Sequence, residues 1–148
     1  MSERLRQAFA QIIAFIRKLS KTDKQVRPTP YYIDAFKRDA AEEEKRNSRF
    51  VDNFCEFYEE MEKHLRGTNI YGSGVDKYDM PKGDRSGGYR VLTFFDKPKN
   101  EIVFIAVYPK DDEKRVLTKK AIRNLKSLVK SLKHRSVPIT SLAEEPPA

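Results

Sequence analysis

All six glycines of this 148-residue chain fall between Gly67 and Gly88, and the apolar residues keep a different period on either side of that segment. Before it they recur at intervals of three and four. After it they alternate, and then return to helical spacing toward the C-terminus. A helical stripe repeats near every 3.6 residues and a half-buried strand every second residue. The chain is therefore confined to a helical half, a glycine-rich connection, and a small sheet closed by a last helix, which is an α+β pattern.

Leu5, Phe9, Ile12, Ile16 and Leu19 share one stripe, which predicts an amphipathic helix from about Ser2 to Ser20. That stripe needs a cover, either the rest of the chain or a second molecule. Arg27-Pro28-Thr29-Pro30 disfavours helix, because each proline lacks an amide donor and restricts the residue before it. A first strand is expected near Val26 to Tyr32. From Tyr32 onward, Ile33, Phe36 and Ala40 form a helical face, and Asn47-Ser48 supplies a break with capping chemistry. A further helix runs from about Arg49 to Leu65, with Phe50, Phe54, Phe57, Tyr58, Met61 and Leu65 on a broad stripe. So short a turn between the two predicts an antiparallel helix hairpin.

The glycine-rich segment holds one short strand, Val75 to Met80. Tyr89, Val91, Thr93 and Phe95 then alternate with Arg90, Leu92 and Phe94, and Ile102 to Tyr108 is apolar on both faces, as expected of central strands under helices. Asp96 to Asn100 turns between them, with Pro98 and Asn100 supplying turn chemistry. Thr118 is a suitable N-cap for a final helix that buries Ile122, Leu125, Val129 and Leu132. That helix turns Lys119, Lys120, Arg123, Lys126, Lys130 and Lys133 outward.

The composition fits one domain with one aromatic core, since nine Phe and seven Tyr accompany 35% charged residues. Residues 1–24 read as an N-terminal helical extension, 25–135 as the domain, and 136–148, where prolines return, as a disordered tail. Cys55 is the sole cysteine, so the chain forms no internal disulfide, and a reducing cytoplasm is expected. No stretch approaches the roughly 18 apolar residues of a membrane span. Neither a cofactor nor a metal is expected, because Glu59, Glu60, Glu62 and His64 do not form a shared-face ligand set.

The net charge of +8 is uneven: +4 over residues 1–24, −2 over 25–66 and +6 over 67–148. A polyanionic partner fits that distribution. If Phe95 pairs near Ile102, Arg90 lies opposite Val107, and Lys110 sits about 10 Å further along the strand at the same open end. Lys82 and Arg85 empty into that end from the glycine-rich loop, and Lys77 lies in the preceding strand. Tyr78, Tyr89 and Tyr108 are close enough in sequence to stack on bases or donate hydrogen bonds, a mixture suited to single-stranded RNA. Arg90 has a plainer alternative, pairing with Asp79 or Asp111.

Arg85-Ser86-Gly87-Gly88-Tyr89-Arg90-Val91-Leu92 resembles the glycine-rich loop and strand arginine of the RelE/HigB toxins, of the RelE/ParE superfamily. Phe94-Phe95, Ile102 to Tyr108, Lys110-Asp111 and Leu117-Thr118 are similar to the HigB branch, where a Tyr-x-Lys element precedes a Leu-Thr helix start. The resemblance covers Val75 to Leu132 well and Pro30 to Leu65 by order of elements; residues 1–24 lie outside it. It implies a RelE-like sandwich over residues 25–135: a small central antiparallel sheet, an α-helical hairpin and a C-terminal helix, here with an extra N-terminal helix.

The resemblance also implies the toxin of a type II toxin–antitoxin module, a cytoplasmic, ribosome-dependent mRNA endonuclease that inhibits translation. Its reaction is metal-independent attack of a ribose 2′-hydroxyl on the adjacent phosphate, and its partners are mRNA on the ribosome and a cognate antitoxin. Arg90, Lys110, Lys77 and Tyr108 are its implied catalytic residues, with Tyr78 or Tyr108 as base. Lys82, Arg85, Tyr78, Tyr89, Lys119, Lys120 and Arg123 are implied to bind RNA.

Asp76 and Asp79 flank Lys77, and Asp111-Asp112-Glu113 follows Lys110, so negative charge intrudes where the family pattern is basic; these carboxylates could depress activity, serve in proton transfer, or mark an inactive or repurposed relative. A ParE-like gyrase poison and a non-catalytic RNA-binding regulator stay open as alternatives. The N-terminal helix is free to contact an antitoxin, self-associate, or enlarge the core.

Overall fold

A computed structural model describes residues 3–22, 28–63, 67–81 and 88–142. Among the described residues, five α-helices surround a six-stranded mixed sheet that is mostly antiparallel, in the order β2-β3-β4-β5-β1-β6. The strands are β1 (Thr29–Tyr32), β2 (Thr68–Asn69), β3 (Asp76–Met80), β4 (Tyr89–Asp96), β5 (Glu101–Pro109) and β6 (Thr140–Ser141). The helices are α1 (Glu3–Thr22), α2 (Asp34–Arg46), α3 (Phe50–Lys63), α4 (Glu113–Val116) and α5 (Lys119–Lys133).

One sheet face is covered by α1, α2 and α3. Phe9, Ile12 and Ile16 of the expected N-terminal stripe are buried there with Phe36, Phe50, Phe54, Tyr58 and Phe104. Phe9 stacks on Tyr32 with ring centroids 5.1 Å apart, and Phe36 meets Phe54 at 5.8 Å and Phe104 at 5.5 Å. At Phe9, Ile12 and Ile16 the apolar stripe of α1 is thus covered by its own chain, so this part of the helix belongs to the common core rather than forming an appendage. The opposite face carries Leu92, Phe94, Val103, Ile105 and Tyr108 under Val129 and Leu132 of α5. Thr118 caps α5 as expected, its Oγ1 accepting the Ala121 amide at 3.1 Å.

Three departures from the sequence reading have physical causes. Tyr32 ends β1 instead of opening α2, and β1 runs parallel to β5, with Pro30 opposite Ile102 and Tyr32 opposite Phe104. The sheet is consequently mixed, where a purely antiparallel one was expected. Past Phe104 the outer edge of β5 loses its β1 partner, and Asp39 of α2 covers it by accepting the Val107 amide at 3.2 Å. Burial pushes the Asp39 carboxyl up, against the downward pull of that amide and Arg38.

The second departure is in register. β4 and β5 pair as expected from Asp96 opposite Glu101 to Thr93 opposite Phe104, but Leu92 then faces Ala106 and Arg90 faces Tyr108. Ile105 is the extra residue of a β-bulge, so the pairing moves one step from the expected Arg90–Val107.

The third concerns the tail. Thr140–Ser141 pairs antiparallel with Tyr31–Tyr32, the Leu142 amide donates to Pro30 O at 2.9 Å, and the Leu142 side chain is fully buried. Arg135 pairs with Glu101 and lies over the Tyr31 ring, anchoring the approach. Residues 136–142 are therefore structural, their apolar anchor being a single leucine that a composition argument overlooks; 143–148 lie outside the described residues. Leu142→Ala should lower unfolding free energy by about 2–5 kcal/mol in urea melts. An unchanged midpoint would show that the segment contributes nothing.

Candidate functional site

Four of the side chains singled out from the sequence meet on the α5 side of the sheet. Asp79, Arg90 and Tyr108 are direct cross-strand neighbours on β3, β4 and β5, and directly opposed residues point to the same face. Lys77 is two residues along β3 from Asp79, again on that face. Beyond β5 the chain enters a 3-10 turn, Lys110–Asp112, in which the Lys110 amide donates to Gly88 O at 3.1 Å. That turn and the start of α4 fold Glu113 back over the strands.

The contacts form a chain of charges. Lys77 Nζ lies 2.9 Å from Glu113 Oε1, and Arg90 Nε lies 3.5 Å from the same oxygen. The Nη1 of Arg90 pairs with Asp79, whose carboxylate also lies 3.7 Å from Lys110 Nζ. Tyr108 donates its hydroxyl to Glu113 Oε1 at 3.3 Å. Three cations thus face two carboxylates, leaving one positive charge in excess, with Arg90 in the middle. The plainer alternative, an Arg90–Asp79 pair, is present; the one with Asp111 is not among the ion pairs of the described residues.

Arg90 Nε is buried and has no well-aligned hydrogen bond, so its contact with Glu113 is electrostatic rather than directional. Burial raises the Glu113 carboxyl, but the Lys77 hydrogen bond and charge, the Arg90 charge and the Tyr108 hydroxyl outweigh it and hold the group below its ordinary range. Tyr108 moves the other way: burial, then the charge of Glu113 and the hydrogen bond to it, push its phenol well up against the opposing pull of Arg90. It stays protonated and cannot serve as a base near neutrality.

Tyr78 and Tyr89, expected at the site, are on the other face. Tyr78 packs edge-on against Phe57 at 6.1 Å, and Tyr89 is buried against Phe50 at 5.5 Å with its hydroxyl accepting from Asn47 Nδ2 at 3.2 Å. Strand alternation separates each from its charged neighbour, and α3 covers the side they occupy, so neither ring is placed to stack on a base beside Arg90. Burial also pushes the Tyr78 phenol up, ahead of the Asp76 charge and against a bond to the Gly67 backbone, which disfavours its ionised form.

Lys119, Lys120 and Arg123 are exposed on α5 and take no part in the cluster. Lys82 and Arg85 lie outside the described residues. A cavity of about 620 Å³ between α3 and β3 touches the cluster at Asp79; its other walls are Asn53, Glu56, Phe57, Glu60, Met61, Tyr78 and Pro81. Apolar and acidic walls suit an anion poorly, and the ionic cluster with its three cations is the better candidate site.

Glu113 is a member of the cluster that the sequence reading did not single out from the acidic run Asp111-Asp112-Glu113, for which proton transfer was one of the open roles. The available signal was its spacing: three residues after Lys110, one helical turn returns a side chain toward the strand end it has just left.

No protein-family model matches the chain, and no curated protein matches it. Among the described residues no helix is long and apolar enough to cross a membrane.

Because Glu113 ionises more readily when folded, its contribution to stability is complete above the ordinary glutamate range, near pH 4.3, and is lost as pH falls through its lower folded value. Urea melts of the wild type and Glu113→Gln should therefore differ most near neutrality and converge below about pH 4. A difference that does not change with pH would contradict the pairing.

Proposed function

We propose that this protein is a ribosome-dependent mRNA endonuclease of the RelE/HigB type, the cytoplasmic toxin of a type II toxin–antitoxin module. The observation that carries the proposal is the convergence of Lys77, Arg90 and Lys110 around one point of a sheet end, beside a carboxylate held ionised. The helix-covered sheet and terminal helix support the family's RelE-like sandwich, here in a mixed-sheet form.

In this reading Arg90 and Lys110 hold the non-bridging oxygens of the scissile phosphate and stabilise the charge that gathers on them as a fifth oxygen approaches. Glu113, oriented by Lys77 and Tyr108, accepts the proton of the ribose 2′-hydroxyl. The 2′-oxygen attacks phosphorus, the bond from phosphorus to the 5′-oxygen breaks, and Lys110 protonates the departing oxygen. The products are a 2′,3′-cyclic phosphate and a 5′-hydroxyl. Glu113 contacts Arg90 directly, and Lys110 reaches Arg90's other carboxylate partner, Asp79, so the proposed base and acid are different groups of one cluster.

The exposed lysines and arginine of α5, Lys119, Lys120 and Arg123 among them, supply a basic face for ribosomal RNA. A cognate antitoxin would act by covering the sheet end or holding the protein from the ribosome. A non-catalytic RNA-binding role draws on one specific fact, that the site cations already have carboxylate partners.

Induction in bacteria should stop translation and produce new 5′ ends in mRNA. With purified ribosomes and mRNA, Glu113→Gln should lower the cleavage rate by about 10²–10⁴-fold, Arg90→Gln by about 10²–10³-fold, and Tyr108→Phe by roughly tenfold through loss of positioning. RNA binding without cleavage by the wild type would favour the non-catalytic role. DNA damage with intact mRNA would point to a gyrase poison instead.

A further inference from the structure

The two carboxylates of the cluster are not equivalent. Glu113 is the better sheltered, its side chain 29% exposed, and it is bound by Lys77, Arg90 and Tyr108. Asp79 is 58% exposed, and it sits outermost on Arg90 and Lys110, which are themselves only 24% and 33% exposed. An exposed carboxylate on two more sheltered cations occupies the place a ligand anion would take. Its geometry matches that use: one oxygen, Oδ1, serves both the Nη1 of Arg90 and the Nζ of Lys110, as a phosphate oxygen would. Exposed ion pairs are weak and exchange readily with solvent, whereas a pair sheltered on several sides does not.

We propose that Asp79 is an internal stand-in for the scissile phosphate, a latch that closes the site in the free protein and is displaced when an RNA phosphate binds. The proposal rests on the reading of Arg90 and Lys110 as a phosphate site. Displacement turns Asp79 toward solvent, while Glu113 keeps its partners and stays in position as proton acceptor. An isolated phosphate monoanion replaces one carboxylate by another anion of similar charge and gains little. A strand that also meets the basic face of α5 has further contacts with which to open the latch. The latch thereby biases the site toward RNA already held elsewhere on the protein and against short free fragments.

The apparent affinity of a closed site is its intrinsic affinity reduced by the fraction of molecules that are open. The test uses a mixed-sequence single-stranded DNA 12-mer, which offers phosphates but has no 2′-hydroxyl to react, with binding followed by fluorescence anisotropy at low salt. Asp79→Asn should bind about tenfold more tightly than wild type, the gain expected if the latch is closed in roughly nine molecules of ten. Asp111→Asn makes the same change in net charge at an exposed position outside the cluster and should gain about twofold or less. In an Arg90→Gln background the Asp79→Asn gain should vanish.

Equal gains from Asp79→Asn and Asp111→Asn, or weaker binding by Asp79→Asn with an unchanged urea midpoint, would overturn the latch while leaving the phosphate site standing. A loss of midpoint in Asp79→Asn is met by Asp79→Ser, which must show the same gain or the latch falls. Failure of the wild type and Asp79→Asn alike to bind the oligonucleotide would overturn the phosphate site and the latch with it.

Discussion

The ladder between β4 and β5 slips by one residue at Ile105, and the arrangement of the site depends on that slip. In an unbroken ladder Arg90 would face Val107, and Tyr108 would point with Tyr89 into the aromatic layer under α1, α2 and α3. With the bulge, Tyr108 crosses to the face of Arg90 and Lys77, and Lys110, two residues on, leaves the strand on the same side. Ile105 and Ala106 both pack toward α5, which is the local signature of an extra residue. The apolar pattern of β5 tolerates this because it is hydrophobic on both faces, so a change of side exposes nothing.

Once the cations are brought together, electrostatics dictates what must accompany them. Lys77 and Arg90 lie within 3.5 Å of one glutamate oxygen. At an effective dielectric near 20, like charges about 4 Å apart repel by about 4 kcal/mol. Such a group needs counter-anions, and Glu113 and Asp79 provide them. The acidic residues that depart from a basic pattern are what allow three cations to stand at one sheet end.

Much of this was legible in the sequence, and the failures share a cause. The helices over 3–22, 34–46 and 50–63, the hairpin of β4 and β5 and the capped α5 follow from periodicity and turn chemistry, which are local. Alternation also placed Tyr89 and Arg90 on opposite faces correctly. What it could not supply was the cover on each face, and so Tyr78 and Tyr89 were credited with contacts that α3 occupies. The parallel pairing of β1 with β5, the bulge at Ile105 and the docking of Leu142 are long-range choices made by packing. Glu113 is not separable from its acidic neighbours by local pattern, because a short 3-10 turn reverses the chain there and brings a residue that follows the strand back onto it.

The central claim is that these cations hold an RNA phosphate while the neighbouring 2′-hydroxyl attacks it. The most direct measurement is the chemistry of the ends produced from a ribosome-bound mRNA, read alongside the same message carrying one 2′-deoxynucleotide on the 5′ side of the scissile phosphate. The account predicts a 2′,3′-cyclic phosphate or its hydrolysis product upstream, a 5′-hydroxyl downstream, and no cleavage at the deoxy position. A 5′-phosphate downstream, or cleavage that persists without the 2′-hydroxyl, would contradict it.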